Sequence, residues 1–239
     1  MPDWPIIFNG PMVKALLAGS KTQTRRLAWR ERIVAPPSDG TLRPTLWRPT
    51  VWQKVTPGDR MWVRETFVME NDMMYGPNLP TDGRPFKTVD AGPDWGEYNL
   101  IPHYRATEPE PHIVPANLDD GDDDRTRWSS PIYMPRWASR ITLAVTATRM
   151  ERVQEISEED AEAEGIAAWN EPTGGGDFQD YWFNYSNSDE PFEGDPRASF
   201  ASLWDTLHPK PGDAWDDNPE IVVVGFAAQH RNIDAGDEP

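Results

Sequence analysis

Lys21 and Thr24 stand three residues apart in the run Ser20-Lys21-Thr22-Gln23-Thr24-Arg25-Arg26. An amine beside a hydroxyl can act as its base when burial or neighbouring cations lower the lysine pKa, and Arg25 and Arg26 are such neighbours. In an extended chain positions 21 and 24 face opposite sides, so bringing both to one pocket needs a turn. The bland alternative is a solvated basic edge strand, and composition alone leaves both open. Glu164 is the last acid of the run that begins at Ser157 and stops at Gly165. An acid at a helix C-terminus has the wrong sign for the helix dipole. It is therefore either an idle exposed side chain or one kept for another purpose.

Other chemistries find less support. The chain has no cysteine, which excludes disulfides, a thiol nucleophile and Cys-ligated zinc or iron–sulfur clusters. The four histidines, His103, His112, His208 and His230, are scattered, with no pair at ligand spacing, and read as surface or loop residues. None lies near a serine in a turn of the hydrolase-triad kind. Gly19-Ser20-Lys21-Thr22 shares residues with a phosphate-binding P-loop. However, Ser20 separates the glycine from the lysine, and the segment follows a helix where a P-loop opens one. The acidic run Asp119 to Asp124 lacks the ordered ligand spacing of a calcium loop. Of the tryptophans, which could stack bases, Trp137 and Trp204 sit in well-patterned segments and read as core.

Charge is unevenly spread. The 239 residues carry a formal charge of −17, yet residues 1–64 hold 11 basic and 4 acidic side chains, leaving a local −24 in the remainder. A large acidic surface repels polyanions at long range, while the basic quarter can hold a nucleotide-sized anion at close range. No apolar run approaches the ~18 residues of a membrane span. Met1-Pro2-Asp3-Trp4 lacks the pattern of a secretory signal. The expectation is a soluble cytoplasmic protein with no membrane partner.

These residues need elements to position them. Pro11, a short apolar stripe and Gly19 predict a helix over residues 12–19, and the polar run after it can begin a strand. Residues 33–57 are proline-rich and read as irregular, followed by a turn at Pro57-Gly58-Asp59 and a strand over residues 60–67. Residues 69–127 read as a loop insertion broken by a short strand near His103–Ala106, and residues 167–195 as a second insertion. Period-two alternation predicts a strand within residues 139–153. Ser157 caps a helix ending at Gly165, with Asp160 standing in for the Glu of a capping box. Asp195 and Pro196 open a helix to Leu207 whose Phe200, Leu203, Trp204 and Leu207 share one face. Residues 220–228 read as a buried strand in which Gly225 marks a bulge or bend. Strands outnumber helices, which predicts an α+β fold built on a small closed sheet with flanking helices.

The run Leu16–Arg26, with Gly19-Ser20-Lys21-Thr22-Gln23-Thr24 and the arginine after it, resembles the opening of the ASCH domain, a relative of the PUA RNA-binding barrel. Residues 57–63 resemble the turn and strand that follow in that family, and residues 141–165 its later strand and helix. The resemblance implies one domain over residues 1–239, a PUA-like small β-barrel with long loop insertions. The longer form, with Tyr104-Arg105-Ala106 and residues 134–140, is similar to members encoded in phages and prophages.

Small bacterial members of the family are N4-acetylcytidine amidohydrolases, and their catalytic positions fall here on Lys21, Thr24 and Glu164. The resemblance therefore implies a hydrolase that needs neither metal nor cofactor. Thr24 attacks the acyl carbonyl, Lys21 takes its proton, and Glu164 protonates the departing amine; the last two roles are interchangeable in sequence. Arg26 and Arg25, with Tyr104 or a tryptophan, would hold the nucleoside. The alternatives are a non-catalytic reader of RNA or modified bases, and a ribonuclease. The acidity beyond residue 64 weighs against a long polyanionic partner.

Overall fold

A computed structural model describes residues 2–32, 46–71, 80–90, 92, 96–111, 127–166, 168–169, 181–186 and 192–235. In chain order the elements begin with β1 (Asp3–Ile7), α1 (Gly10–Leu17), β2 (Gln23–Leu27), β3 (Trp29–Arg32), β4 (Leu46–Pro49), β5 (Arg60–Arg64) and β6 (Phe67–Asn71). There follow β7 (Lys87–Asp90), β8 (Glu97–Tyr104), β9 (Thr142–Arg152), α2 (Glu158–Ala163), β10 (Ala168–Trp169), β11 (Tyr181–Phe183), β12 (Phe192–Glu193), α3 (Pro196–Leu207) and β13 (Glu220–Gln229). The protein is mixed α+β, mostly strands in several sheets with few helices, and no sheet closes on itself among the described residues. No described helix is long and apolar enough to cross a membrane.

Two compact units divide the chain: a first of Met1–Gly19, Gly58–Ala144 and Ala227–Pro239, and a second of Ser20–Pro57 and Val145–Phe226. In the first, β1 pairs parallel with β5, and Met61 of β5 faces Leu143 at the start of β9. Val13 and Leu16 of α1 are buried, as are Ile6, Met61, Val63 and Leu143. Asn9 caps α1 by accepting from the Met12 N–H at 3.0 Å, and Gly19, at φ +76°, ends the helix in the left-handed region that suits glycine.

The first unit also corrects the reading of residues 69–127. Instead of a loop with one short strand, β6, β8 and β7 form an antiparallel sheet in that order. Polar residues inside β8 disguised it: Asn99 is buried and accepts the Thr88 hydroxyl at 2.9 Å, and His103 lies between Glu70 and Glu108 at 2.8 and 2.6 Å. A strand whose inward positions carry paired polar groups shows no apolar alternation. His103 is thus no ordinary surface histidine. The acidic run 119–124 and His112 lie outside the described residues, as do Gly174–Gly176 of the second insertion.

In the second unit β2 pairs antiparallel with β13, from Leu27↔Ile221 to Gln23↔Gly225, and β3 pairs with β4 where an irregular stretch was expected. Val153, Ile156, Ala161, Phe200, Trp204, Ile221 and Val223 form its core. Phe200 and Trp204 of α3 point into that core as expected, whereas Leu207 is 45% exposed. At Gly225 the ladder stays in register, and an added Cβ would lie 3.5 Å from the Ala147 Cβ, so the glycine serves a close approach between strands where a bulge was expected.

Candidate active site

The helix α2 begins at Ser157, whose hydroxyl accepts the Asp160 N–H at 3.1 Å, and ends at Glu164, with Gly165 turning the chain at φ +83°. Asp160 and Glu164 are four apart and therefore share one face. On the other side of the site, the chain leaves Gly19, makes an isolated antiparallel bridge between Lys21 and Glu164, and then enters β2. The bridge is locked by the Thr22 N–H, which donates to the Ala163 carbonyl at 2.9 Å.

These placements bring together residues 143 positions apart. The Lys21 Nζ donates to the Glu164 Oε2 at 2.8 Å and to the Glu164 carbonyl at 2.6 Å. The Arg25 Nη1 donates to the other carboxylate oxygen, Oε1, at 3.1 Å. Glu164 is thus no idle helix-end acid: its carboxylate lies between two cations, with Lys21 and Glu164 only 1% and 4% exposed. Burial lowers the Lys21 pKa, the Glu164 charge and hydrogen bond oppose this, and Arg26 and Arg25 add to the lowering. An amine held in this way is easier to deprotonate than a solvated lysine, which a general base requires.

Arg25 is spent on carboxylates. Besides Glu164 it donates from Nε and Nη2 to Glu151 at 3.2 and 2.8 Å and from Nη2 to Asp160 at 2.8 Å, and its guanidinium lies 5.7 Å from the Phe200 ring centre. It is 4% exposed and works here as a positioning residue for Glu164, in place of the substrate contact expected of it. Asp160 does not complete a capping box. Its carboxylate instead receives Gln23 Nε2 at 2.9 Å, Arg25, and the Arg149 guanidinium. Gln23 and Glu151 have no role in the sequence reading, and Asp160 enters it only as a capping residue. The signal for them was the i, i+4 spacing of Asp160 and Glu164 and the i, i+2 spacing of Gln23 and Arg25 on one strand face.

By the same alternation Thr24 and Arg26 lie on the opposite face of β2. Thr24 is 3% exposed, faces Val224 across the ladder, and its hydroxyl makes no hydrogen bond among the described residues. Arg26 stacks its guanidinium 5.5 Å from the Trp52 ring centre, and burial pushes its pKa down to about 10 against the pull of Glu164. Tyr104 lies in the first unit. Its hydroxyl donates to the Ala138 carbonyl at 2.8 Å, its ring carries the Arg140 guanidinium at 3.9 Å, and it is 1% exposed. It has a structural task there, so Trp52 is the aromatic partner that stands beside Arg26.

One pH dependence follows from this network. Burial acts to raise the Asp160 pKa, but the hydrogen bonds from Gln23 and Arg25 and the nearby guanidinium charges hold it below its ordinary value of 3.8. A depressed carboxylate stabilises the fold above its unfolded pKa and loses that contribution as pH falls through the folded one. Wild type is therefore expected to lose urea resistance between about pH 5 and about pH 3 more steeply than Asp160→Asn. Equal slopes would show that Asp160 does not carry the acid sensitivity.

Comparison with known protein families, characterised proteins and solved structures finds no match to this chain.

Proposed function

We propose that the protein is an amidohydrolase that removes the acyl group from N4-acylated cytosine nucleosides without a metal, on an ASCH-type, PUA-like small β-barrel. The observation that carries the reading is the buried Lys21–Glu164 pair, braced by Arg25 and formed between the motif after α1 and the end of α2. A structural ion pair buried this deeply gains little over apolar packing, so a chemical use accounts for it better than stability does.

In this reading the Thr24 hydroxyl attacks the amide carbonyl and passes its proton to Lys21, which precedes β2 and so is not bound by the alternation of that strand. The bond to the cytosine N4 breaks, and that nitrogen takes a proton relayed through the Lys21–Glu164 pair. Water then hydrolyses the Thr24 ester, releasing the carboxylic acid and returning the hydroxyl. Arg26, held over the Trp52 ring, donates to the base carbonyl.

The test is the loss of N4-acetylcytidine absorbance in the presence of EDTA. Wild type is expected to turn over substrate and Lys21→Ala to be at least ~100-fold slower. Folded wild type that leaves N4-acetylcytidine and its longer-chain N4-acyl analogues intact would overturn the proposal.

A further inference from the structure

A second site lies in the same unit, on the β3–β4 hairpin. The register Trp29↔Pro49, Arg30↔Arg48 and Glu31↔Trp47 places Trp29 and Trp47 diagonally on one face, and they are 36% and 51% exposed. Their side chains, with Leu27 and Pro219, wall a cavity of about 420 Å3. The Trp47 ring reaches over Gly212, where an added Cβ would come within 3.9 Å of Cη2. Hairpin and the 210–217 loop thus border an open cleft.

Three acids line it, but two are occupied. Glu220 accepts the Trp29 indole N–H at 2.8 Å, and Asp217 accepts the Gly212 N–H at 2.7 Å. The Asp213 carboxylate accepts no hydrogen bond among the described residues. Its main chain is nonetheless fixed, since its carbonyl receives the Trp204 indole at 2.8 Å and its N–H donates to Lys210 at 3.1 Å. Burial and the nearby Asp217 and Glu31 charges raise the Asp213 pKa against the pull of His208 and Lys210.

Trp47 and Asp213 also border a second cavity, of about 570 Å3, lined by Arg30, Arg48 and Lys210. Arg30 and Arg48 are directly opposite one another across the hairpin and have no carboxylate partner among the described residues. Like charges in that position repel, and an anion bound between them relieves the repulsion. Arg152 also lines the first cavity and Glu31 the second, so charge sign does not divide the two; the second is the one that sets three cations beside Trp47 and Asp213.

We propose that this second cavity is a binding site for a nucleotide whose base carries an exocyclic amine: the base stacks on Trp47, its amine donates to Asp213, and its phosphate sits among Arg30, Arg48 and Lys210. Tryptophan faces stack any base, a carboxylate selects a base amine, and guanidinium pairs hold phosphate. The site is independent of the amidohydrolase reading, and its ligand is either a free mononucleotide or one unit of a single strand.

Calorimetric titration is read against Trp47→Ala, Asp213→Ala and Arg48→Ala, none of which belongs to the first site, and this keeps the two separate. Cytidine monophosphate is expected to bind saturably, with cytidine and uridine monophosphate each about tenfold or more weaker. Trp47→Ala should weaken binding about tenfold or more, with Trp47→Phe recovering most of it. Asp213→Ala should make cytidine and uridine monophosphates bind alike, and Arg48→Ala should remove the advantage of nucleotide over nucleoside. A tetracytidylate that binds tighter than the about fourfold statistical gain of repeated bases identifies the strand as the source, and one that does not identifies the free nucleotide. Absence of saturation, or unchanged affinity in Trp47→Ala, overturns the proposal.

Discussion

Glu164→Ala is expected to cost about 3–5 kcal/mol of folding stability, the largest effect of any single substitution at this site. The carboxylate satisfies Lys21 on one oxygen and Arg25 on the other, and both cations are almost wholly buried. Its removal takes away the carboxylate that holds the buried Lys21 ammonium and one of the three that hold Arg25. Lys21→Met should cost less, because Glu164 keeps Arg25 and Arg25 keeps Glu151 and Asp160. Lys21→Met combined with Glu164→Leu should be more stable than Glu164→Ala alone, since the stranded amine is gone. Urea unfolding of the three variants measures all of this. A loss under about 1 kcal/mol in Glu164→Ala would mean that the pair is solvated and the buried geometry wrong.

Thr24→Val is expected to reduce kcat/KM on N4-acetylcytidine by about 1,000-fold or more while leaving the fold intact. Valine keeps the β-branched shape that suits a central strand, and the hydroxyl it removes has no hydrogen-bond partner among the described residues. Thr24→Ser, which keeps the nucleophile, should stay within about tenfold of wild type. Rapid quenching followed by mass analysis should find an acyl group on the peptide holding Thr24. Full activity in Thr24→Val would sink Thr24 as nucleophile and move the attack to a water activated by the Lys21–Glu164 pair. The stability of this variant and that of Glu164→Ala separate the two residues: one loss is in chemistry alone, the other in chemistry and folding.

The elements that the sequence made legible are those with short-range signals. Asp195 and Pro196 open α3, Ser157 and Gly165 bound α2, and the alternation of Ile141, Leu143 and Val145 marks β9. Each is written in residues within a turn or two of one another, because caps and periodicity act locally. The β6–β8–β7 sheet and the β3–β4 hairpin were not legible, since paired polar groups, prolines and tryptophans stand where an apolar rhythm would announce a strand.

The sequence by itself determined the chemical inventory of the site: an amine, a hydroxyl and two guanidiniums in one short run, and a misplaced acid at the end of a helix. Only the tertiary structure decided how they are used. It set Lys21 against Glu164, turned Arg25 onto three carboxylates, buried Tyr104 in the other unit, and gave Trp52 to Arg26. The reason is physical. Which counter-charge a buried cation takes depends on strand register and on where a helix docks. Both are fixed by contacts between residues far apart in the chain, where no local preference reaches.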